Sequence, residues 1–92
     1  IGNINEYAKF LRANPNTFIA IIGHTDLKGE KEKQVKLSIQ RAEAVREEFA
    51  RRGIDGSRIK VIGRGKSTPL WQKENYEWQA HENRRVEIAV YE

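Results

Sequence analysis

Cysteine and methionine are absent from this 92-residue chain, and proline and histidine occur twice each. Without cysteine, disulfides and thiolate chemistry are both excluded, and neither an oxidising nor a reducing compartment is favoured. His24 and His81, with no thiolate to join them, argue against a zinc centre. No apolar run approaches the roughly 18 residues that a membrane-spanning helix needs. No secretory leader is visible either. The chain opens on Ile1 rather than methionine and is expected to be cut from a longer one, so that absence is silent on compartment. Internal repeats, low-complexity tracts and linkers are also missing, and residues 1–92 are expected to form one domain.

The residues that are present are balanced. Charged residues make up 33% and hydrophobic ones 38%, proportions that argue against intrinsic disorder. Seventeen lysines and arginines against 13 acids leave a net charge of +4. That excess favours anionic partners such as nucleic acid, acidic lipid or an acidic polymer, without choosing among them.

The chain is organised around residues 18–41. Five apolar residues, Phe18-Ile19-Ala20-Ile21-Ile22, end at Gly23 and read as a strand buried on both faces, the kind that sits centrally in an α/β sheet. Ligands of open α/β sheets collect beyond the carboxyl ends of such strands. Here that end delivers Asp26, and the helix that follows delivers Arg41.

Around this stretch the pattern is regular. Ile4, Tyr7, Ala8 and Leu11 give Asn3 to Ala13 the face of an amphipathic helix, capped by Asn3 or Asn5 and stopped by Asn14-Pro15. Lys31 to Arg52 reads as a long helix with a buried stripe of Val35, Ile39, Ala42, Val45 and Phe49. Glu47–Arg51 and Glu48–Arg52 are spaced to pair along it, and Gly53 suits its C-terminal cap, with Ile54 folding back. Ile59 to Ile62 is a second strand, parallel to the first, and Arg85 to Tyr91 alternates as an antiparallel or edge strand. Between them, Lys66 to Asn83 is long enough to be either a functional loop or the carrier of a short helix, for which Glu74 to Glu82 offers a turn or two. The sum is two helices on three strands, with an N-terminal helix that lacks a strand before it.

Five blocks, taken in order, resemble a known family. They are Gly23-His24-Thr25-Asp26, Leu37-Ser38-x-x-Arg41-Ala42-x-x-Val45, Gly53-Ile54-x-x-x-Arg58-Ile59, Gly63-x-Gly65-x-x-x-Pro69 and Asn83-Arg84-Arg85-Val86-Glu87-Ile88. Together they resemble the OmpA-like C-terminal, peptidoglycan-binding domain over essentially the whole chain. The resemblance implies an α/β (α+β) two-layer sandwich of βαβαββ type with a mixed sheet, whose first strand lies upstream of Ile1. It also implies a periplasmic location, attachment to the outer membrane through the missing N-terminal part, and non-covalent binding of the stem peptide through diaminopimelate. Asp26 and Arg41 match the family's ligand-holding acid and arginine, with Thr25, Gln34 and Arg84 beside them. Two departures stand out. Lys33 and Gln34 replace the family's Tyr-Asn, Gln34 keeping the amide on a side chain one methylene longer. Leu70 to Glu82, rich in aromatics and acids, is similar to Bacteroidetes-type versions.

Each of these residues has a plainer role available. Asp26 alone suits a turn whose amides its carboxylate accepts from, and Arg41 alone suits a solvated helix face paired with Glu43 or Glu48. His24 fits a structural hydrogen bond in the turn. Arg84 and Arg85 fit pairs with acids across the sheet, and Trp71 and Trp78 fit packing over the sheet end as well as stacking on sugar rings. The chemical case for Asp26 with Arg41 is complementarity: diaminopimelate carries an ammonium and a carboxylate on one side-chain carbon, and a guanidinium forks onto a carboxylate as lysine cannot. No nucleophile motif is present, Gly63-Arg64-Gly65 is too short for a phosphate loop, and Glu30 and Glu32 sit in a solvated charge run, so no enzymatic activity and no cofactor are expected. The alternative is a basic α/β nucleic-acid-binding domain, opposed by the mixing of acids among the helix bases.

Overall fold

Residues 3–92 are described by the structure, a computed structural model of the chain. The Asn3 side chain accepts from the Glu6 amide at 3.0 Å and caps helix α1 (Ile4–Ala13), which stops before Pro15. Strand β1 (Phe18–His24), helix α2 (Lys31–Arg51), a 3-10 turn (Gly56–Arg58), strand β2 (Ile59–Gly65), helix α3 (Glu77–Asn83) and strand β3 (Val86–Tyr91) follow. The sheet order is β2-β1-β3, with β2 parallel and β3 antiparallel to the central β1. The expected mixed sheet and central strand are both present. The connection after β2 carries the expected short helix as α3, seven residues or about two turns, and β3 starts at Val86 rather than Arg85.

The core lies on one side of the sheet. Ile19 and Ile21 of β1 are fully buried with Ala8 and Leu11 of α1 and Ala42 and Phe49 of α2, and Ile54 and Ile59 complete the cluster with little exposure. Of the alternate residues, Ala20 is buried while Phe18 and Ile22 are half-buried, and Phe18 stacks on Tyr91 at 5.8 Å. The second face of β1 is therefore covered only in part, since α1 and α2 pack against the Ile19/Ile21 face. Two anchors close the layers together. Gly53, at φ +80°, ends α2 and lets the Ile54 amide reach back to the Phe49 carbonyl at 3.2 Å. The Arg58 guanidinium ties the start of β2 to the loop before β1, donating to the carbonyls of Asn14 and Thr17 at 2.8 Å each.

The buried stripe of α2 also differs from the apolar pattern. Its buried residues are Gln34, Ser38, Ala42 and Phe49, while Ile39 stays exposed and Val35 and Val45 are half-buried. The cause is the glycines at the carboxyl ends of β1 and β2. A β-carbon on Gly23 would lie 2.0 Å from the Ser38 carbonyl oxygen, and one on Gly63 would lie 2.3 Å from Ile39 Cγ1 and 2.8 Å from Ser38 Oγ. The helix backbone lies directly on the strand ends, so the residue at the contact must be small. Ser38 fits, accepting from the Gly65 amide at 2.9 Å while donating to the Val35 carbonyl at 2.6 Å. On the outer surface Arg51 turns to Glu48 rather than Glu47, and Arg52 pairs with Glu48 at 2.9 Å as its spacing predicts.

This seat gives a stability test. Gly23→Ala places a methyl against backbone that has nowhere to move, and overpacking of this kind costs about 1–3 kcal/mol or more. Gly56→Ala meets only the tip of Arg46 at 3.2 Å, and should leave the urea midpoint nearly unchanged. Equal midpoints for the two variants would show that α2 is free to lift off the sheet.

Candidate functional site

The parallel strands β1 and β2 end at the same edge of the sheet, and the chain beyond β1 is held there from both sides. The His24 amide donates to the Arg85 carbonyl and the Thr25 amide to the Gly65 carbonyl, each at 2.9 Å. Thr25 is buried, and its hydroxyl donates to the Asp26 carbonyl at 3.0 Å. In this structure Thr25 is thus a group that shapes the turn. The buried Gln34 reaches from the first turns of α2, bonding the Lys28 carbonyl and lying 3.1 Å from Asp26 Oδ1.

Asp26 sits at the centre of these contacts. Its Oδ1 accepts from the Lys28 amide at 3.2 Å and from Gln34, and its Oδ2 accepts from Arg84 Nη1 at 2.9 Å. The turn-forming role and the ion-pair role therefore coexist. Partial burial pushes the carboxyl pKa up, but the Arg84 hydrogen bond, the Lys28 amide and Gln34 outweigh it and hold the group below the usual carboxylate range. Asp26 is ionised at neutral pH. Arg84 also bonds Glu77 at the start of α3, so it bridges two acids.

Arg41 lies at the same edge by a different route. Its Nη1 donates to the His24 carbonyl at 3.0 Å, two residues before Asp26. Neither acid considered as a surface partner takes it. Glu43 lies beside Arg46 and Glu48 holds Arg51 and Arg52, so the rest of the Arg41 guanidinium has no partner among the described residues. Asp26, Gln34 and Arg84 form one bonded cluster, and Arg41 adjoins it without touching Asp26.

His24 is buried, with Nδ1 3.4 Å from Thr68 Oγ1 and Nε2 2.9 Å from Glu87 Oε1. The Glu87 contact is close enough for an ion pair, yet it lies off the line a ring N–H hydrogen bond requires. Burial, reinforced by the charges of Arg85 and Arg64, lowers the His24 pKa against the opposing pull of Glu87. Arg85 pairs with Glu87 at 2.7 Å and donates to the Thr68 carbonyl at 3.0 Å.

Several contributors escaped sequence reasoning. Glu74 Oε2 accepts from the Leu27 amide at 2.9 Å and from the buried Asn83 at 2.9 Å. Lys66 Nζ donates to the Gly29 carbonyl at 2.7 Å, so it braces the far side of the turn. Asn83 lies in a family-like block that offered a signal. Glu74 and Lys66, 47 and 37 residues from the Leu27 amide and the Gly29 carbonyl, offered none.

Three helices on an open, mixed three-strand sheet is the fold of a family of cell-envelope domains. The sequence model of the OmpA family matches residues 2–85, and the chain belongs to that family. The peptidoglycan-associated lipoprotein of Legionella pneumophila is 35% identical over 95 residues, covering 100% of this chain and 51% of that protein. Peptidoglycan-binding protein ArfA of Mycobacterium tuberculosis (strain ATCC 25618 / H37Rv) is 37% identical over 87 residues, covering 95% and 26%. The chain thus spans about half or less of the lengths of these relatives. Among solved structures, the peptidoglycan-associated lipoprotein from Burkholderia pseudomallei superposes with a TM-score of 0.86 at 29% identity, covering 94% of this chain and 72% of that one. The C-terminal domain of Helicobacter pylori MotB shares the fold at a TM-score of 0.83 and 22% identity, covering 97% and 69%.

The lowered His24 pKa makes a linkage prediction. The imidazole binds its proton less readily folded than unfolded, so its contribution is complete above the unfolded pKa of about 6.5 and is lost as the pH falls below it. Urea midpoints should therefore drop between pH 7.5 and 5.5 in the parent and stay flatter in His24→Gln. Parallel loss in both proteins would remove His24 as the cause.

Proposed function

We propose that this edge holds the diaminopimelate residue of a peptidoglycan stem peptide without covalent attachment, and so ties the protein that carries it to the cell wall. The supporting observation is a guanidinium at Arg41 anchored by a single carbonyl and otherwise unpaired, beside an ionised carboxylate at Asp26. A carboxylate offers about four acceptor positions. Three at Asp26 are taken by Arg84, Lys28 and Gln34, which leaves one for the ligand's ammonium. Arg41 then forks onto the carboxylate carried on the same carbon. Thr25 and Gln34 fix the turn, and Arg84 borders the ligand while keeping Asp26 charged. Binding requires no catalysis and no cofactor. Membership of the OmpA family, together with relatives named for peptidoglycan association, supports a place in the periplasm, with outer-membrane attachment through another part of the parent protein. The basic face that a nucleic-acid reading needs is broken up, since Arg46, Arg51, Arg52, Arg84 and Arg85 each contact a carboxylate.

Retention on purified sacculi tests the assignment. Truncating one partner of a shielded charge pair costs about 2–5 kcal/mol, so Arg41→Ala should lose retention at least tenfold with the fold intact by circular dichroism. Arg41→Lys should fail as well, and binding equal to the parent's would end the bidentate account.

Ligand chemistry provides a second test. Free diaminopimelate should release the protein from sacculi and lysine at the same concentration should not, because lysine leaves Arg41 facing an empty position. Equal release by both would remove Arg41 from the site. Retention should weaken only modestly from 50 to 200 mM salt, whereas a loss of about 10³-fold with tighter binding to duplex DNA would favour the nucleic-acid alternative.

A further inference from the structure

The connection between β2 and β3 carries aromatic rings that the core does not use. Tyr76 is 64% exposed and Trp78 52%, with Trp71 and Leu70 exposed beside them, while the buried core is built from other residues. Large apolar rings held in water cost hydrophobic free energy, and a contiguous group of them marks a contact surface. These rings are ordered relative to one another. Trp71 meets Trp78 edge to face at 4.9 Å and 85°, and Tyr76 lies nearly parallel to Trp78, 10° apart at 6.3 Å. Trp71 is also fixed from behind. Its indole N–H donates to Glu82 at 2.7 Å, and its backbone N–H and carbonyl both bond the Asn83 amide, at 2.9 and 3.1 Å.

We infer that Tyr76 and Trp78, nearly parallel and with Trp71 set edge-on to Trp78, form a stacking platform for the amino-sugar rings of the glycan strand, next to the peptide site. A pyranose presents an apolar C–H face and a rim of hydroxyls, which suits flat rings bordered by carboxylates. The border here is acidic: residues 70–82 hold Glu74, Glu77 and Glu82 against Lys73 alone. Bases also stack on aromatic rings, but residues 70–82 offer only Lys73 to the phosphates that accompany them, and no more to anionic lipid headgroups.

Position supplies the second argument. Asn83, which clamps Trp71, also bonds Glu74, and the same Glu74 oxygen accepts from the Leu27 amide in the turn that holds Asp26. Glu77, between Tyr76 and Trp78 in sequence, pairs with Arg84, which pairs with Asp26. Two hydrogen-bonded bridges thus connect the rings to the turn. In peptidoglycan the stem peptide is covalently carried by the sugar, so a site that takes the peptide brings a sugar to its border. The platform rests on the peptidoglycan reading for the source of its glycan, though it needs no contact with diaminopimelate.

Chitotetraose, a peptide-free oligomer of N-acetylglucosamine, separates the two. Titrated into the chain, it should change the tryptophan emission saturably. Trp78→Ala, with Trp71 as the remaining reporter, and Tyr76→Ala should each weaken that response about tenfold, the size expected for losing one stacked ring, about 1.4 kcal/mol. No saturable change in the parent, or equal affinity in both variants, overturns the platform. So does a response to a thymidine oligonucleotide or to anionic vesicles with none to the sugar. A sugar response together with no release from sacculi by diaminopimelate keeps the platform and removes the peptide site. Release without a sugar response does the reverse.

Discussion

The close seat of α2 on Gly23 and Gly63 is the constraint on which the rest of the molecule depends. With a β-carbon at Gly23 falling 2.0 Å from the Ser38 carbonyl, helix and strand ends approach backbone to backbone. That approach fixes the rotation of α2 about its axis. Rotation in turn decides that Gln34 faces the turn beyond β1 and that Arg41, two turns later, meets the His24 carbonyl. A helix held off by ordinary side chains would carry both groups away from the edge. The same contact explains a stripe whose upper half is polar: Ser38 and Gln34 are buried because they bond strand ends and turn, while Ala42 and Phe49 join the apolar core and Val45 packs against it.

The electrostatics follow from that geometry. Arg84 and Asp26 form a partly shielded pair at 2.9 Å, and the pair is not closed, since Glu77 shares the same guanidinium. In the proposed binding mode, an incoming ammonium meets a carboxylate that is kept charged, and the ligand's carboxylate meets a guanidinium that the protein holds by one bond only. Preorganisation of this sort reduces the ordering cost of binding, because neither partner side chain has to be found and fixed by the ligand.

Much of this was legible in the sequence, and what was missed shares a cause. The apolar run 18–22, the helix from Lys31 and the alternation from Val86 are local signals, and they gave the strand order around β1 correctly. Gly53 and Ile54 announced the end of α2 in the same way. The stripe of α2 was misread because periodicity counts apolar residues, whereas glycines on another element decided which positions are buried. Glu74 and Lys66 stayed invisible because their partners lie 47 and 37 residues away, and a side chain bonded to a distant backbone group leaves no spacing to detect. Asp26 and Arg41 stood out from the family-like blocks and Arg84 was placed beside them, yet no pattern disclosed that Arg84 closes on Asp26, 58 residues away.

The most direct measurement is an amide-resolved NMR titration of the nitrogen-labelled chain with free diaminopimelate. The account predicts saturable shifts confined to the Thr25 to Lys28 amides, the His24–Thr25 peptide that Arg41 touches, and the side-chain Nε–H signals of Arg41 and Arg84, with lysine leaving the arginine signals unmoved. Shifts centred elsewhere on the chain, or none at ligand concentrations that release the protein from sacculi, would contradict it.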